Sequence, residues 1–122
     1  MAEIVQLFLQ FSAQVKLYHW QTYSYPRHKA SDMLHTGMQP LIDQFVEIYQ
    51  GKKQRVFLEE KSVLPIYNLD DSNMLDFLLH FKKFLMEDLE RVIGDGRNTD
   101  LLNIRDEMLG LVNQTLYLFT LE

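Results

Sequence analysis

The chain has 122 residues, of which 47% are hydrophobic and 24% are charged, and its formal net charge is −5. This length suits one domain over residues 1–122 and is too short for two, and the composition excludes a disordered or collagen-like chain. The negative charge disfavours nucleic acid and anionic lipid as partners, and the absence of cysteine excludes disulfides and thiolate metal sites.

Helix A is predicted over residues 2–21, because apolar residues recur there at steps of three and four. A short turn over residues 22–27 leads to helix B, which we expect from about Pro26 to Tyr49. Pro40 predicts a kink inside helix B, and the apolar spacing stays in phase across it, which favours one bent helix over two. The predicted core side chains are Ile4, Leu7, Phe8, Phe11, Val15 and Tyr18 of helix A, and Met33, Leu34, Met38, Leu41, Ile42, Phe45 and Val46 of helix B.

Residues 52–71 are the least regular stretch, and we expect a short helix or a packed crossover within residues 56–63, because long loops are uncommon in compact domains. Asp71 or Ser72 is predicted to cap helix C, which runs to about Ile93, and Asn98 or Thr99 caps helix D. Four long helices with a long B–C crossover predict an all-α, ferritin-like four-helix bundle. The core side chains expected on helices C and D are Leu75, Leu78, Leu79, Leu85, Leu89, Val92, Leu101, Ile104, Met108, Leu111, Thr115 and Leu118.

No stretch reaches the roughly 20 apolar residues of a membrane span, and the N-terminus carries no recognisable targeting segment. The sequence therefore predicts a soluble cytoplasmic protein without a membrane partner.

Carboxylates are scarce in the first 51 residues, which hold four, and three of these four lie on helix B. His28 and Asp32 are four residues apart, as are Asp43 and Glu47, so the members of each pair are neighbours on one side of the helix. Each pair is half of a metal site. Fifteen residues separate His28 from Asp43, about 22 Å of helix, so the two halves cannot bind one ion within one chain.

A second copy of helix B, antiparallel about a two-fold axis near Gly37, places the first pair of one chain against the second pair of the other. A glycine at that crossing permits close approach. His19 adds a ligand from the end of helix A. Two imidazoles and three carboxylates suit iron, manganese or zinc better than calcium or magnesium. His35 and His80 are interpreted as structural or surface residues.

The residues His19-Trp20, His28, Asp32, Asp43 and Glu47 resemble the pattern of the Dps mini-ferritins (DNA-binding proteins from starved cells). In that family a His-Trp pair ends the first helix, a second His follows the turn, an acid lies four residues later, and an Asp-x-x-x-Glu falls fifteen residues after the second His. A weaker similarity continues in helix D, where residues 98–102 and 114–117 look like the start and end of the family's last helix.

The resemblance implies a ferroxidase centre at a dimer interface, where iron(II) is oxidised by peroxide or oxygen for iron storage or peroxide protection, within a hollow shell of twelve subunits. His19, His28 and Asp32 would come from one subunit and Asp43 and Glu47 from its mate, in a mono-iron or di-iron site that is also the catalytic site. Trp20 would lie beside this centre without being a ligand and would quench radicals. The Lys-rich tail that many relatives use on DNA is absent, so DNA binding is not expected.

One alternative from a different class stays open: a metal-free helical-bundle dimer that serves as an interaction or scaffold module. The stretch between His19 and His28 is shorter than is usual in the Dps family, and Pro40 interrupts helix B. Both features favour a bundle that keeps the fold without the chemistry.

Overall fold

The computed structural model describes residues 1–122 and contains helices and no strands. The helices are α1 (Ala2–Gln21), α2 (Tyr25–Lys52), α3 (Asp71–Lys83), α4 (Leu89–Ile93) and α5 (Thr99–Leu118), with a π-helical turn (Phe84–Asp88) between α3 and α4. Because α3, the π-helical turn and α4 follow one another without a break, they form one rod, and the chain is a bundle of four rods. The predicted all-helical bundle is confirmed, and α1, α2 and α5 correspond to helices A, B and D.

α2 runs through Pro40 as one helix and ends at Lys52, beyond the predicted Tyr49. Ser24 caps its start, where the Ser24 hydroxyl accepts a hydrogen bond from the backbone N–H of Arg27 (3.3 Å). Pro26 lies in the first turn, where a missing N–H costs no helical hydrogen bond. α1 packs along one side of α2 and α5 along another, so α2 is held from two directions.

α3 begins at a cap one residue earlier than predicted. The Asp70 carboxylate, and not Asp71 or Ser72, accepts a hydrogen bond from the backbone N–H of Asn73 (2.7 Å). Asn98 occupies the N-cap position of α5 as predicted, but its side chain makes no capping hydrogen bond and donates instead to the carbonyl of Ile93 (3.2 Å).

The π-helical turn changes which face of the third rod is buried. A π turn places one extra residue in the helix, so the apolar positions that follow it are displaced by one. Ile93 is therefore buried where Val92 was expected, and Val92 is exposed. Leu79 is also exposed, because the buried stripe before the turn runs through Leu78 and Phe81 and Leu79 lies beside it. The buried residues of this rod are Met74, Leu78, Phe81, Phe84, Leu85, Leu89 and Ile93.

Of the two alternatives predicted for residues 56–63, the short helix is wrong, because residues 54–70 form a connection without helix or strand, and the chain crosses over along α1 instead. Glutamine side chains of α1 hold its second half. Gln14, which is fully buried, donates to the carbonyl of Tyr67 (2.7 Å) and accepts from its N–H (2.9 Å), while Gln10 donates to the carbonyl of Pro65 (2.9 Å). These side chains satisfy backbone groups that a helix would otherwise pair internally.

A single apolar core lies between the four rods. Phe8 of α1 packs edge-on against Phe45 of α2 (ring centroids 5.4 Å apart) and against Phe84 of the π-helical turn (6.1 Å). Leu7 and Met33, predicted as core residues, are exposed at its edge. None of the helices combines the length and the hydropathy needed to cross a membrane.

Candidate metal centre

Two histidines lie side by side where α1 ends and α2 begins. His19 Nδ1 donates to the carbonyl oxygen of His28 (2.7 Å), and His28 Nδ1 donates to the carbonyl oxygen of His19 (2.8 Å). The two rings stack with centroids 3.9 Å apart and planes 18° from parallel. Because a carbonyl oxygen only accepts, each Nδ1 carries a hydrogen, and the neutral form of each ring has its lone pair on Nε2. The reciprocal bonds thus fix both rings in the tautomer that presents Nε2 to a ligand.

The short turn between the helices produces this pairing. α1 ends at Gln21 and α2 begins at Tyr25, so the chain reverses within three residues. The carbonyl of His19 lies at the end of α1, where carbonyl groups accept no hydrogen bond from an N–H of their own helix. The ring of His28 satisfies that carbonyl, and the ring of His19 reaches back to the first turn of α2.

Asp32 and Lys16 complete the group of charged side chains around the histidine pair. Asp32 Oδ1 lies 4.0 Å from His19 Nε2, and the Asp32 side chain is 50% exposed. Lys16 Nζ lies 3.7 Å from the same oxygen and forms an ion pair with it. His19 therefore lies against both His28 and Asp32, and these three predicted ligands share one end of α1 and α2. The sequence analysis missed Lys16, although its position three residues before His19 puts both on one side of the helix.

His35 faces the same group of charges from further along α2. Burial lowers the pKa of its imidazole, and the positive charge of Lys16 lowers that pKa further, while Asp32 acts in the opposite direction. A lowered pKa keeps the ring neutral at pH 7. His35 was interpreted from the sequence as a structural or surface residue. Its spacing of three residues from Asp32 already indicated that the two side chains are neighbours on α2.

Asp43 and Glu47 lie on the same long helix, about 22 Å and about 28 Å from His28 along its axis. Both are exposed, and neither makes an ion pair or a side-chain hydrogen bond within the chain. They flank a groove of about 410 Å³ between α1 and α2. Its other lining residues are apolar: Val5, Phe8, Leu9, Ile42 and Val46.

The five predicted ligands therefore form two groups at opposite ends of the α1–α2 pair. Within the single chain, no group of three or more His, Asp or Glu side chains is arranged to hold a metal ion. A site that uses all five needs a second copy of the chain.

Gly37 faces the interior of the bundle, whereas Trp20 lies at the surface. A Cβ atom on Gly37 would lie 2.9 Å from Leu111 Cδ2, so this glycine faces α5 inside the bundle. The small size of Gly37 therefore serves packing within the chain and not the predicted close approach of a second chain, while the two-fold axis near this residue stays a prediction. Trp20 is 68% exposed beside His19, and Lys16 Nζ lies 5.8 Å from the centroid of its ring.

A larger cavity, of about 640 Å³, lies beside the start of α3 and includes Thr22 and Asp71. The Asp71 carboxylate accepts hydrogen bonds from the Tyr18 hydroxyl (2.6 Å) and the Thr22 hydroxyl (3.0 Å). Arg27 donates to the backbone carbonyl of Asp71 (2.8 Å). These bonds tie α1 and α2 to α3, so the polar groups here are committed to the fold.

The sequence model of a family described as a family of unknown function (DUF5856) matches residues 19–119. The chain belongs to the DUF5856 family. The matched range begins at His19 and includes all five candidate ligands. This DUF5856 chain is also similar to a protein of Enterobacteria phage T4, described as an "Uncharacterized 14.6 kDa protein in mobD-ri intergenic region". The two are 28% identical over 123 residues, which cover 98% of this chain and 88% of the phage protein. No solved structure matches the chain.

Proposed function

We propose that this protein is a Dps-like, ferritin-like iron-binding protein that oxidises iron(II) at sites shared between two copies of the chain. The observation that carries the proposal is the reciprocally bonded pair His19 and His28. Both rings are fixed by backbone carbonyls in the tautomer that leaves Nε2 free, and Asp32 lies next to them. This arrangement matches the usual state of metal-binding histidines, whose second ring nitrogen donates to a carbonyl or carboxylate.

The second half of each site would come from the partner. An antiparallel copy of α2 brings its Asp43 and Glu47 to the histidine pair, and these carboxylates have no partner within their own chain. Two neutral imidazoles and three carboxylates suit iron, with manganese and zinc as competing ions. A two-fold dimer is the smallest assembly that completes the sites, and a shell of such dimers would provide a space for ferric mineral.

The chemistry assigned to the chain's own residues is simple. The carboxylates bind iron(II) and offset the charge that it gains on oxidation, and the imidazoles add neutral ligands without raising the negative charge. Two iron(II) ions supply the two electrons that reduce one hydrogen peroxide to water, with two protons taken from solvent. The substrate is therefore iron(II), and the oxidant is peroxide or oxygen.

One observation favours a second candidate function, a metal-free dimer that acts as an interaction or scaffold module. Lys16 Nζ lies 3.7 Å from Asp32, so the carboxylate nearest the histidine pair already has a cation as its partner. In that case Asp43 and Glu47 would serve only to pair two chains or to bind a basic protein.

The first experiment is an anaerobic titration of the metal-stripped protein with iron(II), followed by addition of peroxide while ferric absorbance is recorded. We expect about one or two irons bound per chain, and a rate of oxidation at least about ten times lower in the double variant Asp43→Asn, Glu47→Gln. The matched control is Asp76→Asn, Glu107→Gln, which removes two other exposed carboxylates. Equal rates in the wild type and the first variant would refute the assignment.

A mixing experiment tests whether the site is shared between chains. His28→Asn keeps a side-chain amide that can donate to the carbonyl of His19 but removes Nε2. A dimer of one His28→Asn chain and one Asp43→Asn, Glu47→Gln chain has one site without mutations and one that carries all of them. Random exchange should therefore restore about a quarter of the wild-type activity from two inactive proteins. A site built within one chain would recover none.

A further inference from the structure

An exposed aromatic side chain and an apolar groove lie at opposite ends of one surface. This surface, the α1–α2 face, runs from Trp20 and Asp32 at one end, past Ala13, to Leu9, Asp43 and Glu47 at the other. Trp20 is the single tryptophan of the chain and is 68% exposed. The groove between Leu9 and Val46 is open, and its lining is mainly apolar.

The spacing of these features fits a two-fold axis through the middle of the face. On α2, the two candidate half-sites have their midpoint between residues 37 and 38. On α1, the midpoint between Trp20 and the groove residues Val5 and Leu9 lies between residues 13 and 14. The Ser12–Gln39 hydrogen bond (2.7 Å) puts α1 and α2 level at these positions, and the His19–His28 contact at one end and the shared groove at the other show that the two helices are antiparallel. The two midpoints therefore lie at nearly the same height, to within about one helical rise of 1.5 Å.

The charges along the face are also complementary under this rotation. The end near the histidines carries Lys29 and the Lys16–Asp32 ion pair, so Lys29 is its cation without an acidic partner, whereas the groove end carries Asp43 and Glu47 without a cationic partner. A two-fold rotation places the histidine end of one copy against the groove end of the other. Complementary charges of this kind fix the register in which two surfaces associate.

We propose that a second copy of the chain covers the α1–α2 face, with Trp20 of each copy seated in the groove between Leu9 and Val46 of the other. The choice of face rests on the proposed function, but the pairing requires no metal. A buried tryptophan removes about 150 to 250 Å² of its surface from water, and a stable interface needs about 800 Å² per partner. The two tryptophans are thus anchors within a larger interface, which is where aromatic side chains contribute most to affinity.

Because the chain has a single tryptophan, its fluorescence reports the pairing directly. The experiment combines sedimentation equilibrium of the metal-free protein with acrylamide quenching over the same concentrations. We expect a dimer whose tryptophan emission is shifted to shorter wavelength and shielded from the quencher, and a monomer at low concentration whose tryptophan is accessible. Trp20→Ser should weaken dimerisation by at least about thirtyfold, as measured by sedimentation.

Two variants with the same change in charge separate the interface from general effects. Ala13→Arg places a large cation at the proposed axis on an exposed position and should give monomers with an accessible tryptophan. Asn103→Arg, at an exposed position of α5, should leave the dimer intact. Circular dichroism of both variants checks that the bundle is folded.

The proposal is overturned if the wild type is a monomer at all concentrations, or if it dimerises while Trp20 stays as accessible as in Ala13→Arg. The outcome is independent of iron chemistry. A dimer with a shielded tryptophan that binds no iron refutes the proposed function and supports the interface. Iron oxidation by a dimer with an accessible tryptophan supports the proposed function and refutes the interface.

Discussion

The ion pair between Lys16 and Asp32 gives a quantitative test of the candidate metal centre. A metal bound to Asp32 lies about 2 Å from its oxygen, and Lys16 Nζ is 3.7 Å from that oxygen, so the two cations would be about 5 Å apart. The repulsion between a unit charge and a divalent ion at that distance is about 1.7 kcal/mol at the dielectric constant of water. Because Lys16 is partly exposed and can turn away, a cost of about 1 to 1.7 kcal/mol is reasonable. Lys16→Met should therefore tighten binding of a divalent metal by about five- to twentyfold.

The assay is isothermal titration of metal-free protein with cobalt(II), a redox-stable probe that takes the same nitrogen and oxygen ligands. Methionine keeps an unbranched apolar stem of similar length beside Trp20, so loss of packing is small. Lys83→Met is the matched control, because it removes one exposed lysine from α3 at a distance from the site. If Lys16→Met binds cobalt no more tightly than the control, Lys16 does not oppose a metal at Asp32, and the electrostatic reasoning fails.

Two further predictions concern the stability of the bundle. Tyr18→Phe removes the buried hydroxyl that donates to Asp71 and accepts from Arg27. Urea titrations should show that this change lowers the free energy of unfolding by about 1 to 2 kcal/mol. The matched control, Tyr117→Phe at an exposed position, should have little effect. Burial raises the pKa of Tyr18 above its ordinary value of 10.0, so the neutral phenol stabilises the wild type below pH 10 and this contribution is lost as the pH rises further. The alkaline loss of stability should therefore be shallower in Tyr18→Phe. Gly110→Ala, on an exposed position of α5 with open space around a Cβ, should raise the free energy of unfolding by about 0.5 to 1 kcal/mol and Tm by about 3 °C, and no gain would show that this glycine is not simply a weak helix former.

Periodicity was enough to predict the four rods, because each carries an apolar stripe at helical spacing. It was not enough for the third rod, where the π-helical turn displaces the stripe and buries Ile93 in place of Val92. Nor did it decide between a short helix and a packed crossover for the chain after α2. There the backbone is satisfied by Gln10 and Gln14 from a helix more than fifty residues earlier in the chain. Local sequence carries no information on such distant partners.

The candidate site was likewise predicted only in part from the sequence. Spacing on one helix predicted that His28 and Asp32 would be neighbours, and the short turn correctly suggested that His19 would join them. The reciprocal bonds to backbone carbonyls depend on how closely α1 and α2 approach, which the sequence does not specify. The role of Gly37 was misassigned for a related reason, since the helical phase that turns this residue toward Leu111 is set by the packing of α5.

The histidine pair has a simpler possible role, which is to satisfy two backbone carbonyls at a tight turn. An asparagine or glutamine donates to a carbonyl equally well, so that role alone does not require an imidazole at either position. What distinguishes histidine is the second nitrogen, because a ring that donates from Nδ1 to a carbonyl has Nε2 left for a ligand. Asp32 Oδ1 lies 4.0 Å from His19 Nε2 and 3.7 Å from Lys16 Nζ, so the carboxylate lies between the ring and a lysine. Nε2 of either ring is the atom that a metal site completed by a second chain would use, and His28→Asn separates the two roles because it can keep the turn while it removes that nitrogen.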